Sequence, residues 1–363
     1  MIKNPPQDDN HFQEVSEAPF PISKQAKTKV TTDIDYEADG VQISHLKVPF
    51  SRNDSAWGRM LIPIAKFKNG EGPKILLTGG IHGDEYEGPT VLSKIIQRLK
   101  LDNVKGTIII LPAVNLPAHY AGTRISPLDH LDLNRSFPGN KDGTLTSVIA
   151  HYMTEILVPM VDMVIDIHSG GTSLDFVPSV VIHELSDKKQ MDDTLEMLNV
   201  FGAPFGLILK EMDGDSMFDT AVESQGKIFL STELRGGGSV TPYAVQVGDN
   251  GVCNVLNKLG VAKIGKSKYT KYNCKQTPTL LTIPHEDCFV DAHENGLYEP
   301  VVELGQDVKE GETIGQIHFL PNLRRKPKLV KSPYEGVVIA KRFPGRVEMG
   351  DCIAVIGMKW KRS

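Results

Sequence analysis

Two short apolar runs, at residues 75–77 and 108–111, flank one amphipathic stretch, and that order constrains the chain more than any other feature. Unbroken apolar runs of this length read as buried strands. Between them, Val91, Leu92, Ile95, Ile96 and Leu99 recur at helical spacing after Pro89. Strand, helix and strand at such distances predict a parallel sheet, in which ligands collect beyond the carboxyl ends of the strands.

The first of those ends is LLTGGIHGDEYEGP at residues 76–89, which carries His82 and Glu85 three residues apart on a strand-to-helix loop. Gly79, Gly80 and Gly83 let the backbone bend there. An imidazole nitrogen and a carboxylate oxygen on such a turn can converge on one metal ion. A catalytic zinc usually takes three protein ligands and keeps a fourth position open. Alone, a His-x-x-Glu is more often a solvated surface pair, so the third ligand has to come from elsewhere.

MVIDIHSGG supplies a candidate, because it is another apolar strand ending in a histidine, His168, and glycines. Asp166 lies on the same side of that strand. It either accepts the second N–H of a ligand histidine or is simply a buried, hydrogen-bonded strand residue. In KIFLSTELRGGG the run 228–230 is a strand, and Glu233 at its end is placed to take a proton from water in a shared cleft. The plainer reading is a surface glutamate in a glycine-rich loop.

Residues 121–139, AGTRISPLDHLDLNRSFPG, are too rich in polar and turn residues to form an element, and long structureless loops are usually functional or disordered. Arg124, Asn134 and Arg135 offer donors for a carboxylate or for a carbonyl oxygen gaining negative charge. Asp129 and Asp132 pair with these arginines or cap turns. His183 and Glu184 read as structural.

At 363 residues the chain exceeds what one core usually fills. Residues 1–40 read as an N-terminal arm and 41–272 as an α/β domain with a mixed, largely parallel sheet flanked by helices. Within it, 41–68 form sheet-edge hairpins. A polar, basic linker at 263–275 leads to a smaller all-β C-terminal domain, 273–363, whose two halves share a pattern of strands and glycine turns.

No apolar run approaches the ~18 residues of a membrane helix, and the polar, acidic start lacks a secretory signal, which favours the cytoplasm. With a net charge of −5 and only RRKPK at 324–328 as a basic block, nucleic acid is excluded as a partner. Cys253, Cys274, Cys288 and Cys352 form no Cys-x-x-Cys pair and read as reduced and structural. A zinc site from Cys274, Cys288 and His285 is disfavoured by its irregular spacing.

Taken in order, His82-x-x-Glu85, Arg124, Asn134-Arg135, Asp166-x-His168 and Glu233 resemble the succinylglutamate desuccinylase/aspartoacylase family, relatives of the zinc carboxypeptidases. The resemblance runs from about residue 41 to the C-terminus. It implies a zinc carboxypeptidase-like fold with one zinc ion per chain on His82, Glu85 and His168. Arg124 would polarise the scissile carbonyl, Asn134 and Arg135 would grip the substrate carboxylate, and Glu233 would shuttle a proton. Arg235 adds a charge where the family pattern has none, and is a further substrate-binding candidate.

The implied activity is zinc-dependent deacylation of a small N-acyl amino acid, with homo-oligomerisation left open. SRNDSAWGRMLIPI and GDEYEGP most resemble the N-alpha-acetyl-diaminobutyrate deacetylases of the family. One competing reading is a zinc carboxypeptidase acting on short peptides. Another is a non-catalytic metal-binding regulatory protein, against which Glu233 and Arg124 speak, since binding zinc requires neither. The β domain also resembles lipoyl and biotinyl domains but lacks their exposed lysine hairpin, so no carried cofactor is expected.

Overall fold

The computed structural model describes residues 27–210, 216–265 and 277–362. A two-residue strand, β1 (Thr31–Thr32), precedes the antiparallel hairpin β2 (Gly40–Pro49) and β3 (Arg59–Asn69), with the edge position expected for residues 41–68. Of the N-terminal arm, residues 1–26 lie outside the described residues. Val30 and Ile34 beyond them are buried on the core.

The founding unit follows as β4 (Lys74–Gly79), α1 (Glu87–Arg98) and β5 (Gly106–Leu111), with β4 and β5 parallel. Every residue of β5 is buried, because both faces of the sheet are covered. Alternate residues of β4 serve opposite layers. Ile75 and Leu77 join the core under α1, whereas Leu76 joins the core on the other face.

Next come α2 (Leu116–Ala121), α3 (Leu145–Tyr152), β6 (Met163–His168), β7 (Leu174–Phe176), β8 (Ser179–His183), α4 (Lys188–Phe201), β9 (Phe205–Leu209), α5 (Phe218–Glu223), β10 (Ile228–Glu233) and α6 (Pro242–Leu259). Several go beyond what the sequence pattern assigns. Helix α2, whose first turn accommodates Pro117, stands ahead of the polar stretch 121–139. Strand β9 and helix α5 lie in the segment before β10, to which the sequence pattern assigns no element. Strand β10 runs on to Glu233, which is therefore its last residue.

The strands order as β1-β2-β3-β5-β4-β6-β10-β8-β9. Those around β4, β6 and β10 are parallel, and β8 runs antiparallel to β10. This order brings together carboxyl ends that are far apart in sequence. Thr78 is the register partner of Asp166, Asp166 of Ser231, and His168 of Glu233. Helices α1 and α6 cover one face. Residues of α3 and α5 cover the other, on which Val164 and Phe229 lie.

The C-terminal region is all-β: β11 (Thr279–Thr282), β12 (Phe289–Asp291), β13 (Gly296–Pro300), β14 (Asp307–Val308), β15 (Thr313–His318), β16 (Lys328–Lys331), β17 (Gly336–Arg342), β18 (Arg346–Val347) and β19 (Cys352–Lys359). Strand β11 pairs with both β9 and β19, so the large sheet continues through β19, β17 and β14. A separate sheet orders as β16-β15-β13-β18. Strand β7, just beyond His168, pairs with β17, so this region buttresses a loop of the candidate site. Most of the expected linker, 266–275, lies outside the described residues. No helix among those described is long and apolar enough to cross a membrane.

Candidate active site

Beyond β4 the chain turns at Gly80, whose φ of +67° suits glycine. Gly83 is required for a different reason: a Cβ there would lie 2.0 Å from the backbone carbonyl carbon of Ala118. The turn buries His82 and Glu85 beside His168. Nδ1 of His82 lies 2.6 Å from Oε1 of Glu85, and Nδ1 of His168 lies 2.9 Å from Oε2. The two imidazole centroids are 5.0 Å apart.

One ligand atom from each of the three residues lies within 4.8 Å of the others. Two imidazole nitrogens and a carboxylate oxygen form a donor set suited to zinc. Both histidines present Nδ1 to Glu85 and turn Nε2 towards a second carboxylate. Nε2 of His168 donates to Asp166 Oδ2 at 2.8 Å, and Asp166 Oδ1 accepts from Thr78 Oγ1 at 2.7 Å. Nε2 of His82 stands 3.3 Å from Asp132 Oδ1, at ion-pairing distance but without hydrogen-bond geometry. Carboxylates behind ligand histidines fix the tautomer that leaves the other nitrogen open to a metal.

Burial alone would lower both imidazole pKa values, but Glu85 and Asp132 raise that of His82. Asp166 and Glu85 raise that of His168 well above the usual value. Burial would likewise raise Glu85, yet the two histidines hold its carboxyl far below the usual range. Glu85, Asp132 and Asp166 thus set three carboxylates against two imidazoles, a negative surrounding that suits a divalent cation. The residues fit a bound metal.

Glu233 points from the end of β10 into the same cleft, and its buried Oε2 has no hydrogen-bond partner among the described residues. Burial and then Glu85 push its carboxyl up to about 8. Arg124 is exposed and lines the cleft. Its Nε donates to Asp132 Oδ2 at 3.1 Å, and its guanidinium lies 4.0 Å from Glu85. Asp132 also caps the short turn Leu133–Arg135 by accepting from the Asn134 N–H. Asn134 and Arg135 line the cleft as well, and Asn134 Oδ1 accepts from the Phe218 N–H at 3.1 Å.

Arg235 stands apart from this group. Its backbone is left-handed, with φ of +63°, and its guanidinium pairs with Asp175 at 2.6 Å, while its carbonyl accepts from the Gly170 N–H. It is not among the cleft-lining residues. The loop after His168 is held by the His82 turn as well. Ser169 N–H donates to Glu85, and Thr172 donates through both N–H and Oγ1 to Asp84.

The cleft, of about 250 Å³, extends beyond the donor set to His183 and Asp219. His183, read from the sequence as structural, lines the cleft and sits 2.7 Å from Glu223 through Nδ1. Asp132 stood inside the DLNR stretch beside residues already singled out, so spacing could have found it. No local pattern links His183 to Asp219 or Glu223. Cys288 is buried away from this cleft, and Cys274 lies outside the described residues.

Comparison with known proteins gives the family. A family model for the succinylglutamate desuccinylase/aspartoacylase catalytic domain matches residues 71–259. The chain is 44% identical over 334 residues to the N-alpha-acetyl-L-2,4-diaminobutyric acid deacetylase of Halomonas elongata, covering 92% of this chain and 96% of that one. It also matches the product-bound structure of the ectoine utilization protein EutE (DoeB) from Ruegeria pomeroyi at TM-score 0.86 and 41% identity, covering 91% and 99% of the two chains. A succinylglutamate desuccinylase from a Silicibacter species matches at TM-score 0.86 and 39% identity, covering 92% and 99%.

Proposed function

Because the chain belongs to the succinylglutamate desuccinylase/aspartoacylase family and is a hydrolase of its deacylase class, we propose that it deacetylates an N-acetylated amino acid using one zinc ion. N-alpha-acetyl-2,4-diaminobutyrate is the substrate we assign. The convergence of His82, Glu85 and His168 beside Glu233 carries the reading. The Halomonas relative narrows the substrate. A cytoplasmic location belongs to the same reading.

His82, Glu85 and His168 would hold the zinc, with Asp166 and Asp132 orienting the two imidazoles. When bound, the ion supplies a Lewis acid that acidifies water towards neutrality and polarises the amide carbonyl. Glu233 accepts a proton from the attacking water and returns it to the leaving amine nitrogen. Arg124 faces the negative charge that develops on the carbonyl oxygen. Arg135 orients the substrate carboxylate. Asn134 assists through its amide N–H groups, since its oxygen is engaged by Phe218.

The test is a panel of N-alpha-acetyl-2,4-diaminobutyrate, N-acetylaspartate, N-succinylglutamate and short peptides, assayed with zinc-loaded and chelated protein. The first should show the highest kcat/KM, abolished by chelation and restored by zinc. Zinc-loaded protein inert towards every N-acyl amino acid would overturn the reading, and faster peptide cleavage would point to a carboxypeptidase.

A further inference from the structure

Four residues along β8 separate Ser179, the register partner of Glu233, from His183, a distance of roughly 13 Å at ~3.3 Å per residue. Ser231, Val181 and His183 share the face of the sheet that bears Glu233, so the cleft runs from the donor set down this face. The two ends differ in chemistry. At the far end the walls are the apolar Val181, Leu209 and Met217, and the terminus is the pair His183 and Asp219.

Helix α5 sets that terminus. Phe218 packs edge-on against Phe229 of β10, with centroids 5.7 Å apart, and this seats the next residue, Asp219, over His183. Oδ2 of Asp219 stands 3.7 Å from Nε2 of His183, too far for a hydrogen bond. Oδ1 accepts from the N–H of Thr220. Among the described residues His183 is the one ion-pairing contact of Asp219. Glu223 engages the other nitrogen of the same imidazole. His183 thus stands between two carboxylates, those of Asp219 and Glu223.

We infer that Asp219, backed by His183, is the specificity-determining residue that binds a side-chain ammonium of the substrate at the end of a short aliphatic stem. The inference rests on the functional reading above and deepens it. Two observations join this pair to the reacting end: one cleft runs from the donor set and Glu233 to Asp219, and the substrate named for the Halomonas relative carries its acyl group on one amine and leaves a second amine free. A carboxylate that pairs with an ammonium in a partly buried cleft discriminates strongly against an analogue lacking the charge.

The experiment compares N-alpha-acetyl-2,4-diaminobutyrate with N-acetylnorvaline, which has the same shape without the ammonium. The wild-type protein should favour the amine substrate in kcat/KM. Asp219→Asn, which keeps the acceptor for Thr220, should lower that ratio by about tenfold or more, mainly through KM. Asp219→Glu should retain more of the preference than Asn, which separates a lost charge from a damaged fold. A wild-type preference left intact by Asp219→Asn, or rates for both substrates falling in parallel, would overturn the assignment alone. Zinc-loaded wild type inert towards both substrates would remove the functional reading and this inference with it.

Discussion

Nε2 of His168 donates to Asp166 across 2.8 Å, which leaves Nδ1 facing Glu85 at 2.9 Å. Asp166 is itself held by Thr78 on the neighbouring strand, so the imidazole is fixed by two layers of hydrogen bonds. Asp166→Asn should therefore weaken zinc affinity about 10–100-fold, read by competition with a chelator. The looser 3.3 Å contact of Asp132 with His82 makes a smaller effect the expectation for Asp132→Asn. Equal affinity in wild type and Asp166→Asn would show that Asp166 is only a buried strand residue.

Glu233 is assigned to moving a proton and not to holding the ion. Glu233→Gln should keep stoichiometric zinc while kcat falls by about a hundredfold or more. Metal analysis alongside steady-state kinetics checks both halves. Near-normal turnover would mean another base is at work.

Gly83 sits where a Cβ would meet backbone atoms of Ala118 at 2.0 Å, and backbone does not yield cheaply. Gly83→Ala should displace the His82 turn, destabilise the protein by about 1–3 kcal/mol, and impair zinc binding. Gly265→Ala, where a Cβ meets nothing within 4 Å, is the control and should be close to neutral. Thermal unfolding of the two variants makes the comparison, and similar shifts for both would refute it.

Asp129 caps α3 from a distance, accepting from both the N–H and Oγ1 of Thr146 at 2.8 Å. Burial would raise its carboxyl, but these hydrogen bonds prevail and hold it below the ordinary value. Its folded pKa is depressed, so its contribution is fully present above the unfolded value of 3.8 and is lost as pH falls through the folded value. Asp129→Asn, which keeps an acceptor for Thr146 and loses only the charge, should cost a few tenths of a kcal/mol up to about 1 kcal/mol at neutral pH, with the difference from wild type shrinking below pH 3.8. Denaturant melts across that range decide it, and a difference independent of pH would exclude the charge.

His82, His168 and Glu233 were legible because each ends or follows a strong apolar run, and the parallel register of β4, β6 and β10 then aligns those ends. The fold class followed from the same periodicity. Asp132 was half visible: its place in DLNR drew notice, but only the folded loop turns it towards His82. His183 and Asp219 were invisible for two reasons. Strand β8 runs against β10, which no local pattern announces, and the six residues of α5 are too few to show helical spacing. Arg235, singled out as a charge outside the family pattern, pairs with Asp175 and is not among the residues lining the cleft. A left-handed backbone there turns its side chain to Asp175.

The central claim is that one ion on His82, Glu85 and His168 is required for turnover. The most direct measurement is titration of zinc into chelator-stripped protein while following hydrolysis of N-alpha-acetyl-2,4-diaminobutyrate. Activity should rise linearly from a negligible value and break at one equivalent per chain, with His168→Ala showing neither rise nor break. Full activity in the stripped protein, or an unchanged titration in His168→Ala, would contradict the account.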